Sequence, residues 1–321
     1  MKEVQEYDYG LVYRRRMVTT YNTNANYINL HILNLPTQIN LYDETGGTEV
    51  LKARTDLAYD ETSLQSYAPA PTQLDSTVTA FRANITTSKR YEDPTNLATA
   101  ISRTFGYDVA GNRVTASLDC CNQRTWSYNS STNYSYPVTI TSGPVGTQLS
   151  VRETYFLESG NIQVFTDENN QPTTYSYDSS YRLIDVLRPD GIHYGTSYDD
   201  AAVSPSVTST SPTDSAKTAV TVTTMDGAGR VIQQAAKDGT GVVISVVDIT
   251  YDNLGRRTQV SLPHASGATP SYTTTVYDAI SRVSQVIPPD GSQSSNFTGY
   301  AYNGSSVTAT DAASKQRKNV R

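Results

Sequence analysis

One short pattern recurs at a constant interval between Met225 and Gly291. Met225-Asp226-Gly-Ala-Gly229-Arg230, Tyr251-Asp252-Asn-Leu-Gly255-Arg256 and Tyr277-Asp278-Ala-Ile-Ser-Arg282 set their aspartates 26 residues apart, twice running. A second mark falls 12 residues after each aspartate, at Lys237-Asp238-Gly239, Pro263-His264-Ala265 and Pro289-Asp290-Gly291. A fixed period of about 20–50 residues marks an array whose units bury a face only by stacking on their neighbours. This constrains the fold more tightly than any single motif.

Each mark has a local physical reading. Asp at the first position of a type I turn accepts hydrogen bonds from the backbone ahead of it, and Gly at the fourth takes the positive φ that returns the chain to a strand. The Asp-Gly pairs at 238 and 290 signal reversals of the same sort. Between marks lie segments long enough for one strand. Thr258, Val260 and Leu262 alternate with Arg257, Gln259 and Ser261, and Val220–Met225 alternates as well. The unit reads as strand, turn, strand, turn.

The same unit extends upstream. Tyr107-Asp108-Val-Ala-Gly111-Asn-Arg113 is a copy with one extra residue, and 119–122 sits where its second turn belongs. Tyr177-Asp178-Ser-Ser-Tyr-Arg182 is another, with Tyr181 in the glycine position, which requires either a strained φ or a longer turn. Asp190 follows Asp178 by the same 12 residues. Strands are expected at 126–128 and 134–136, a loop at 142–146, and a polar turn at 166–170 feeding 173–177. A Ser/Thr/Pro-rich surface excursion is expected over 201–216. Residues 1–104 are the most diverged. Tyr42-Asp43 opens a fair turn match, Tyr59-Asp60-Glu61 starts one without finishing it, and strands are expected at 27–33 and 78–85 with a loop at 67–73.

The tyrosine-aspartate motif with its trailing Gly-Arg resembles the RHS/YD-repeat family, well over 105–321 and weakly over 1–104. The resemblance implies an all-β array of antiparallel hairpins coiling into a solenoid-like or shell-like sheet, with 1–104 a diverged region carrying insertions and 105–321 the regular array. In that family a hollow shell encloses a variable C-terminal cargo, often a toxin, and a segment rich in Asp-Pro-x-Gly and Asn-x-Tyr motifs closes the array and can support self-cleavage. No such segment occurs here, so no catalytic residue is carried over. The expected function is a structural module of a larger RHS/YD protein, contributing to a shell that encloses or presents a C-terminal effector or toxin domain. Its partners would be the rest of that shell and the enclosed domain. The resemblance also implies a secreted or cell-surface setting, and it leaves open a cell-surface carbohydrate-binding or adhesion module using exposed tyrosines.

Composition agrees with β structure. There are 24 Tyr against 5 Phe and 1 Trp, charged residues are only 17%, and hydrophobic residues 37%, which suits sheets with a wet face better than a thick apolar core. The formal net charge of −6 provides no basic field for a phosphate backbone, so no nucleic-acid partner is expected. No run of about 18 apolar residues occurs, and the first residues carry no apolar signal region, so neither a membrane-spanning helix nor a secretion signal is expected in this chain. Cys120 and Cys121 are adjacent and alone, too few for a disulfide framework or a cysteine zinc site.

Chemistry is weighed against this scaffold. A catalytic carboxylate is singular, whereas turn carboxylates recur, so Asp108, Asp178, Asp226, Asp252 and Asp278 are assigned to turns ahead of calcium, for which no dense Asp-x-Asp-x-Asp loop exists. Arg182, Arg230, Arg256 and Arg282 lie just past each turn, placed to pair with an aspartate of the same or the adjacent rung. Such exposed pairs order turns more than they hold a fold. His31, His193 and His264 fall in unrelated repeats, His264 in a turn slot. Neither a Gly-x-Ser-x-Gly elbow nor a His-Glu-x-x-His motif is present. The tyrosine rows are read as packing between rungs, ahead of sugar stacking. No enzymatic activity, cofactor or metal is expected. The structural repeat motif thus comprises Tyr107, Asp108, Gly111, Arg113, Tyr177, Asp178, Arg182, Asp226, Gly229, Arg230, Tyr251, Asp252, Gly255, Arg256, Tyr277, Asp278 and Arg282. At the end of the chain, 298–302 and 306–310 read as strands, and Asp311–Arg317 as a turn lengthened by two residues. Without a terminal cap, the array is expected to be truncated and to self-associate or fray near residue 320.

Overall fold

The computed structural model describes residues 2–10, 12–44, 47–72, 74, 80–118, 122–213 and 218–320. Packing divides the chain into two compact units, Met1–Thr173 and Thr174–Arg321. This is a division of packing, whereas the sequence boundary at 104/105 is one of motif regularity. The expected all-β architecture is present: 24 antiparallel strands, one five-residue helix and two 3₁₀ turns among the described residues.

The first unit runs β1 (Glu3–Asp8), β2 (Val12–Tyr21), α1 (Ala25–Asn29), β3 (Pro36–Asp43), β4 (Val50–Tyr59), β5 (Ile85–Tyr91), β6 (Ala100–Tyr107), β7 (Arg113–Leu118), β8 (Asn122–Ser127), β9 (Thr139–Pro144), β10 (Leu149–Phe156) and β11 (Asn161–Thr166). Each strand pairs antiparallel with the next. The second unit contains β12 (Pro172–Tyr177), which begins at its boundary, then β13 (Leu183–Leu187), β14 (His193–Asp199), β15 (Ser206–Pro212), β16 (Thr218–Met225) and β17 (Val231–Lys237). β18 (Val243–Tyr251), β19 (Arg257–Ser261), β20 (Tyr272–Tyr277), β21 (Val283–Ile287), β22 (Thr298–Asn303), β23 (Ser306–Thr310) and β24 (Gln316–Val320) complete it. Here too every strand pairs with its successor. Such a meander needs only local reversals, and the 26-residue repeat supplies two per period.

Register explains why the motif tyrosine stands where it does. The pairing shifts between Thr250 and Tyr251, between Val276 and Tyr277, between Ser176 and Tyr177 and between Gly106 and Tyr107. A type I turn followed by one left-handed residue adds a residue to one strand, and a bulge absorbs it. The apolar core is thin. Tyr27, Leu35, Val114, Tyr134, Ala235, Val246 and Ile287 are the buried hydrophobic residues among those described.

Several expected elements differ. Residues 27–33 are not a strand: Asn24 caps α1 by accepting from the Asn26 amide, and the Asn22 amide bonds the Leu35 carbonyl, so the segment is an excursion between β2 and β3. The expected strand at 78–85 begins only at Ile85. Val78 and Thr79 lie outside the described residues, and Phe81 and Ala83 have φ of 58° and 63°, which no strand accommodates. Residues 134–136 are likewise no strand, because Asn133 and Tyr134 are left-handed after the 3₁₀ turn Ser130–Thr132. The loop expected at 142–146 begins late, since Ser142 to Pro144 finish β9. Ser206–Pro212, inside the supposed surface excursion, is β15 and pairs on both sides, its Val and Thr residues outweighing the Ser/Pro composition. The second-turn site at 119–121, with both cysteines, lies outside the described residues.

Candidate functional site: a repeated aspartate clamp

The chain's recurrent polar chemistry is concentrated at its turns. At Asp252 the backbone N–H bonds the Arg256 carbonyl at 2.9 Å, and the Gly255 N–H bonds the Asp252 carbonyl at 2.9 Å. The side chain completes the turn: Oδ1 accepts from the amides of Leu254 (3.0 Å) and Arg256 (2.9 Å), and Oδ2 accepts from Arg256 Nε (2.7 Å). One carboxylate therefore satisfies three donors that the reversal would otherwise leave to water. Gly255 sits at φ 77°, as the left-handed fourth position requires.

This clamp occurs eight times among the described residues, on Asp108, Asp167, Asp178, Asp226, Asp238, Asp252, Asp278 and Asp311. The fourth position is Gly at 111, 229, 241 and 255. It is Asn170, Tyr181, Ser281 and Ser314 elsewhere, with φ between 60° and 67°. Tyr181 therefore takes the strained φ. At Asp311 the turn has the ordinary length, with Lys315 as the clamped residue, and β24 follows; the two-residue lengthening expected there does not occur. At Asp238 the left-handed glycine is Gly241 and not Gly239.

Four clamps carry the expected arginine. Arg182, Arg230, Arg256 and Arg282 pair with Asp178, Asp226, Asp252 and Asp278 at 2.6–2.8 Å. The carboxyls of all four aspartates are held below their ordinary value of 3.8. At Asp226 the Arg230 guanidinium is the chief cause, and at Asp178 and Asp278 it is the backbone N–H of the clamped arginine. At Asp252 burial pushes upward and is the largest single effect, but the Arg256 amide and guanidinium together outweigh it.

The arginines also strap one turn to the next, an arrangement the motif alone did not disclose. Arg230 lies over the Tyr251 ring at 4.7 Å, Arg256 over Tyr277 at 4.6 Å, Arg282 over Tyr302 at 4.1 Å and Arg182 over Tyr198 at 4.0 Å. Each of those tyrosines donates its hydroxyl to the carbonyl just past the arginine it supports: Tyr251 to Val231 and Tyr277 to Arg257 at 2.8 Å, Tyr302 to Val283 at 2.9 Å, Tyr198 to Leu183 at 3.2 Å. Arg256 reaches further, donating to the Ser281 hydroxyl at the fourth position of the following turn. The repeat spacing of tyrosine is the sequence signal for this strap. Tyr177 closes β12, and burial raises its hydroxyl pKa.

The copy at 107–113 departs from the others. Its clamped residue is Asn112, so the turn has no extra residue, and Arg113 does not pair with Asp108 but lies over Phe105 at 4.7 Å and over Tyr107 at 6.0 Å. Asp108 is fully buried. Its carboxylate accepts from the Asn112 amide (2.7 Å), Asn112 Nδ2 (2.9 Å) and the Tyr67 hydroxyl (2.8 Å). Burial, reinforced by that carboxylate, raises the Tyr67 hydroxyl pKa well above its usual range, so it stays a donor. Gln65 bridges both sides of the turn, Tyr67 stacks on Tyr134 at 4.1 Å, and the Tyr134 hydroxyl donates to the Pro69 carbonyl.

The segment supplying Tyr67 is itself an insertion in a clamp. Asp60 N–H bonds the Asn84 carbonyl at 2.9 Å, and Asp60 Oδ1 accepts from the Asn84 amide at 3.0 Å. The turn begun at Tyr59-Asp60 is thus finished 24 residues later, where β5 starts.

Among the described residues no group of three or more His, Cys, Asp or Glu gathers as a metal site. His193 Nδ1 faces Asp185 at 3.0 Å. His264 is not in the turn itself: its backbone bridges Val246 on both sides, Nε2 faces Asp248 at 3.0 Å, and Nδ1 faces the Ala265 carbonyl. No described helix is long and apolar enough to cross a membrane.

A family model described as a domain of unknown function, DUF6443, matches residues 198–319. No curated protein matches. Among solved structures, the crystal structure of TcdB2-TccC3-TEV aligns with a TM-score of 0.59 at 13% identity, over 95% of this chain and 23% of that one. A Photorhabdus luminescens Tc holotoxin pore with a substitution in TccC3 aligns at a TM-score of 0.35 and 11% identity, over 99% of this chain and 21% of that chain, below the level at which a shared fold follows. The first alignment shows the shared fold. The all-β fold is that of the aligned part of TcdB2-TccC3. This chain spans about a quarter of the length of the chain it matches.

Proposed function

We propose that this chain is a non-catalytic structural module of a longer RHS-type protein, contributing strands to a β-shell that encloses or presents a C-terminal effector. The observation that carries the reading is the strap. Arg182, Arg230, Arg256 and Arg282 are each clamped by their own aspartate and rest on the tyrosine one strand pair further on, an arrangement that fixes the spacing of successive hairpins. The polar groups recur with the repeat instead of converging on one reactive constellation. The likeness to TcdB2-TccC3, over under a quarter of that chain's length, supports a part working within a larger assembly. Its partners are further repeats and the enclosed domain, and its setting is secreted or at the cell surface. Tyr198, Tyr251, Tyr277 and Tyr302 give their hydroxyls to carbonyls and their rings to guanidiniums, which supports packing ahead of sugar stacking.

Limited proteolysis of the longer protein tests the reading. The downstream domain is expected to resist protease while the array is folded, and to be cut once the array is destabilised by substitutions in several clamps. Equal cleavage in both states would refute enclosure, and turnover abolished by a single substitution in this chain would refute the non-catalytic role.

A further inference from the structure

One face of the first unit carries arginines that the repeat chemistry does not use. Residues opposite one another in an antiparallel pair share a face. Through β5 to β9 the register runs Ser88 to Arg103, Arg103 to Leu118, Phe105 to Ala116, Ala116 to Arg124 and Arg124 to Ser142. Arg90, Arg103 and Arg124 therefore stand on one side of the neighbouring strands β5 to β8; Arg103 and Arg124 line a groove of about 550 Å³ into which Arg113 leans over Phe105, and Arg90 stands beside it on β5. All four are exposed, and no described residue facing this side on β5 to β9 is acidic. None of the four enters an ion pair among the described residues, whereas Arg182, Arg230, Arg256 and Arg282 all do.

Two aromatic rings on this face are already engaged. Arg113 covers Phe105 at 4.7 Å and Arg124 covers Trp126 at 5.2 Å. A guanidinium stacked by its face keeps its in-plane N–H groups free and fixed in direction, the arrangement that binds carboxylates in pairs of hydrogen bonds. Sugar stacking would need the ring faces that these arginines occupy. A long polyanion such as nucleic acid would run beyond the groove over a chain of net charge −6.

We propose that this face binds an extended acidic polypeptide segment. An extended chain repeats its same-side carboxylates about 6.8 Å apart, and neighbouring strands lie about 4.8 Å apart, so two such carboxylates fall within reach of the long arginines on β6, β7 and β8. The site is local to the first unit and stands whether or not the array encloses an effector.

The experiment titrates the whole chain with a labelled peptide of about ten residues alternating glutamate and serine, read by anisotropy and by fluorescence of Trp126, the only tryptophan. Each guanidinium removed, as Arg103→Gln, Arg113→Gln or Arg124→Gln, is expected to weaken binding about tenfold. Arg103→Lys, which keeps the charge and loses the fork, should fall between. Arg152→Gln and Arg257→Gln should bind like the parent. Unchanged melting of the single variants shows that folding is not the cause. Absence of binding by the parent chain at low salt, equal binding by the triple Gln variant, or tighter binding of an oligonucleotide or uronic-acid chain of equal charge would each overturn the proposal.

Discussion

Asp108→Ala is expected to destabilise the first unit by about 4 kcal/mol. The carboxylate is fully buried and accepts three hydrogen bonds. Asn112 Nδ2 would keep its bond to the Tyr134 carbonyl, so the groups left without an acceptor are the Asn112 amide and the Tyr67 hydroxyl. Each stranded buried donor costs about 1–3 kcal/mol, giving a range of about 2–6. For a unit of this size, 4 kcal/mol corresponds to a fall in melting temperature of about 8–16 °C. Asp108→Asn, whose amide still offers one acceptor, should lose less than Asp108→Ala. Thermal and urea unfolding of Asp108→Ala, Tyr67→Phe and the double variant measure the coupling, expected at about 1–3 kcal/mol because the pair is in direct contact. A loss below about 1 kcal/mol for Asp108→Ala, or strict additivity with Tyr67→Phe, would refute the assignment of Asp108 as the anchor of the inserted segment.

Three further outcomes follow from the clamp. Because the carboxyls of Asp178, Asp226, Asp252 and Asp278 are depressed below 3.8 in the folded chain, their contribution is present above about pH 4 and is lost as pH falls through the lower folded values. Melting temperature should fall on that acid limb, and replacing these residues by Asn should flatten it; an unchanged limb contradicts the linkage. Tyr251→Phe removes the hydroxyl bond to Val231 and should cost about 1 kcal/mol in urea unfolding, and no loss would show that the strap's hydrogen bond contributes nothing. Gly255→Ala puts a side chain at φ 77°, facing Arg230 at 3.3 Å, and should cost about 1–2 kcal/mol, whereas Gly227→Ala, at ordinary φ in open space, should be nearly neutral; equal effects would remove the left-handed argument.

What the amino-acid order disclosed was local, periodic chemistry. Asp252, Gly255 and Arg256 lie within five residues, so the turn, its left-handed position and its ion pair are all legible from spacing. The strap joins residues about 20 apart, Arg230 to Tyr251 for example, and needs the strand register before it can be seen. The irregular segments are not legible in the sequence for a different reason. Residues 27–33, 80–84 and 134–136 lie in segments with the β-branched and aromatic content of strands, but the neighbouring ladders are already filled by β2 with β3, β4 with β5, and β8 with β9. A strand-like segment with no open ladder folds back as a loop instead. Conversely Ser206–Pro212 looks like surface chain and becomes β15 because an edge on each side accepts it.

The insertion at Asp60 shows why this architecture tolerates such departures. The pairing that closes the clamp, amide to carbonyl and amide to Oδ1, needs only a carboxylate at the end of one strand and the backbone of the residue where the next begins; the bonds that Leu254 and Gly255 add at Asp252 lie outside that pairing. Asp60 and Asn84 satisfy that requirement across 23 intervening residues, with the same pairing of amide to carbonyl and amide to Oδ1 that Asp252 and Arg256 achieve across three. The energetic difference is loop closure, which grows only as the logarithm of length, so a longer excursion adds about 2 kcal/mol. The inserted segment offsets that cost by burying Tyr67 against Asp108 and Tyr134 and by supplying the Gln65 bridge across the next turn. An array built on such clamps acquires new loops at its turns without changing the order of its strands, and additional polar surface then accumulates beside the repeat and not within it.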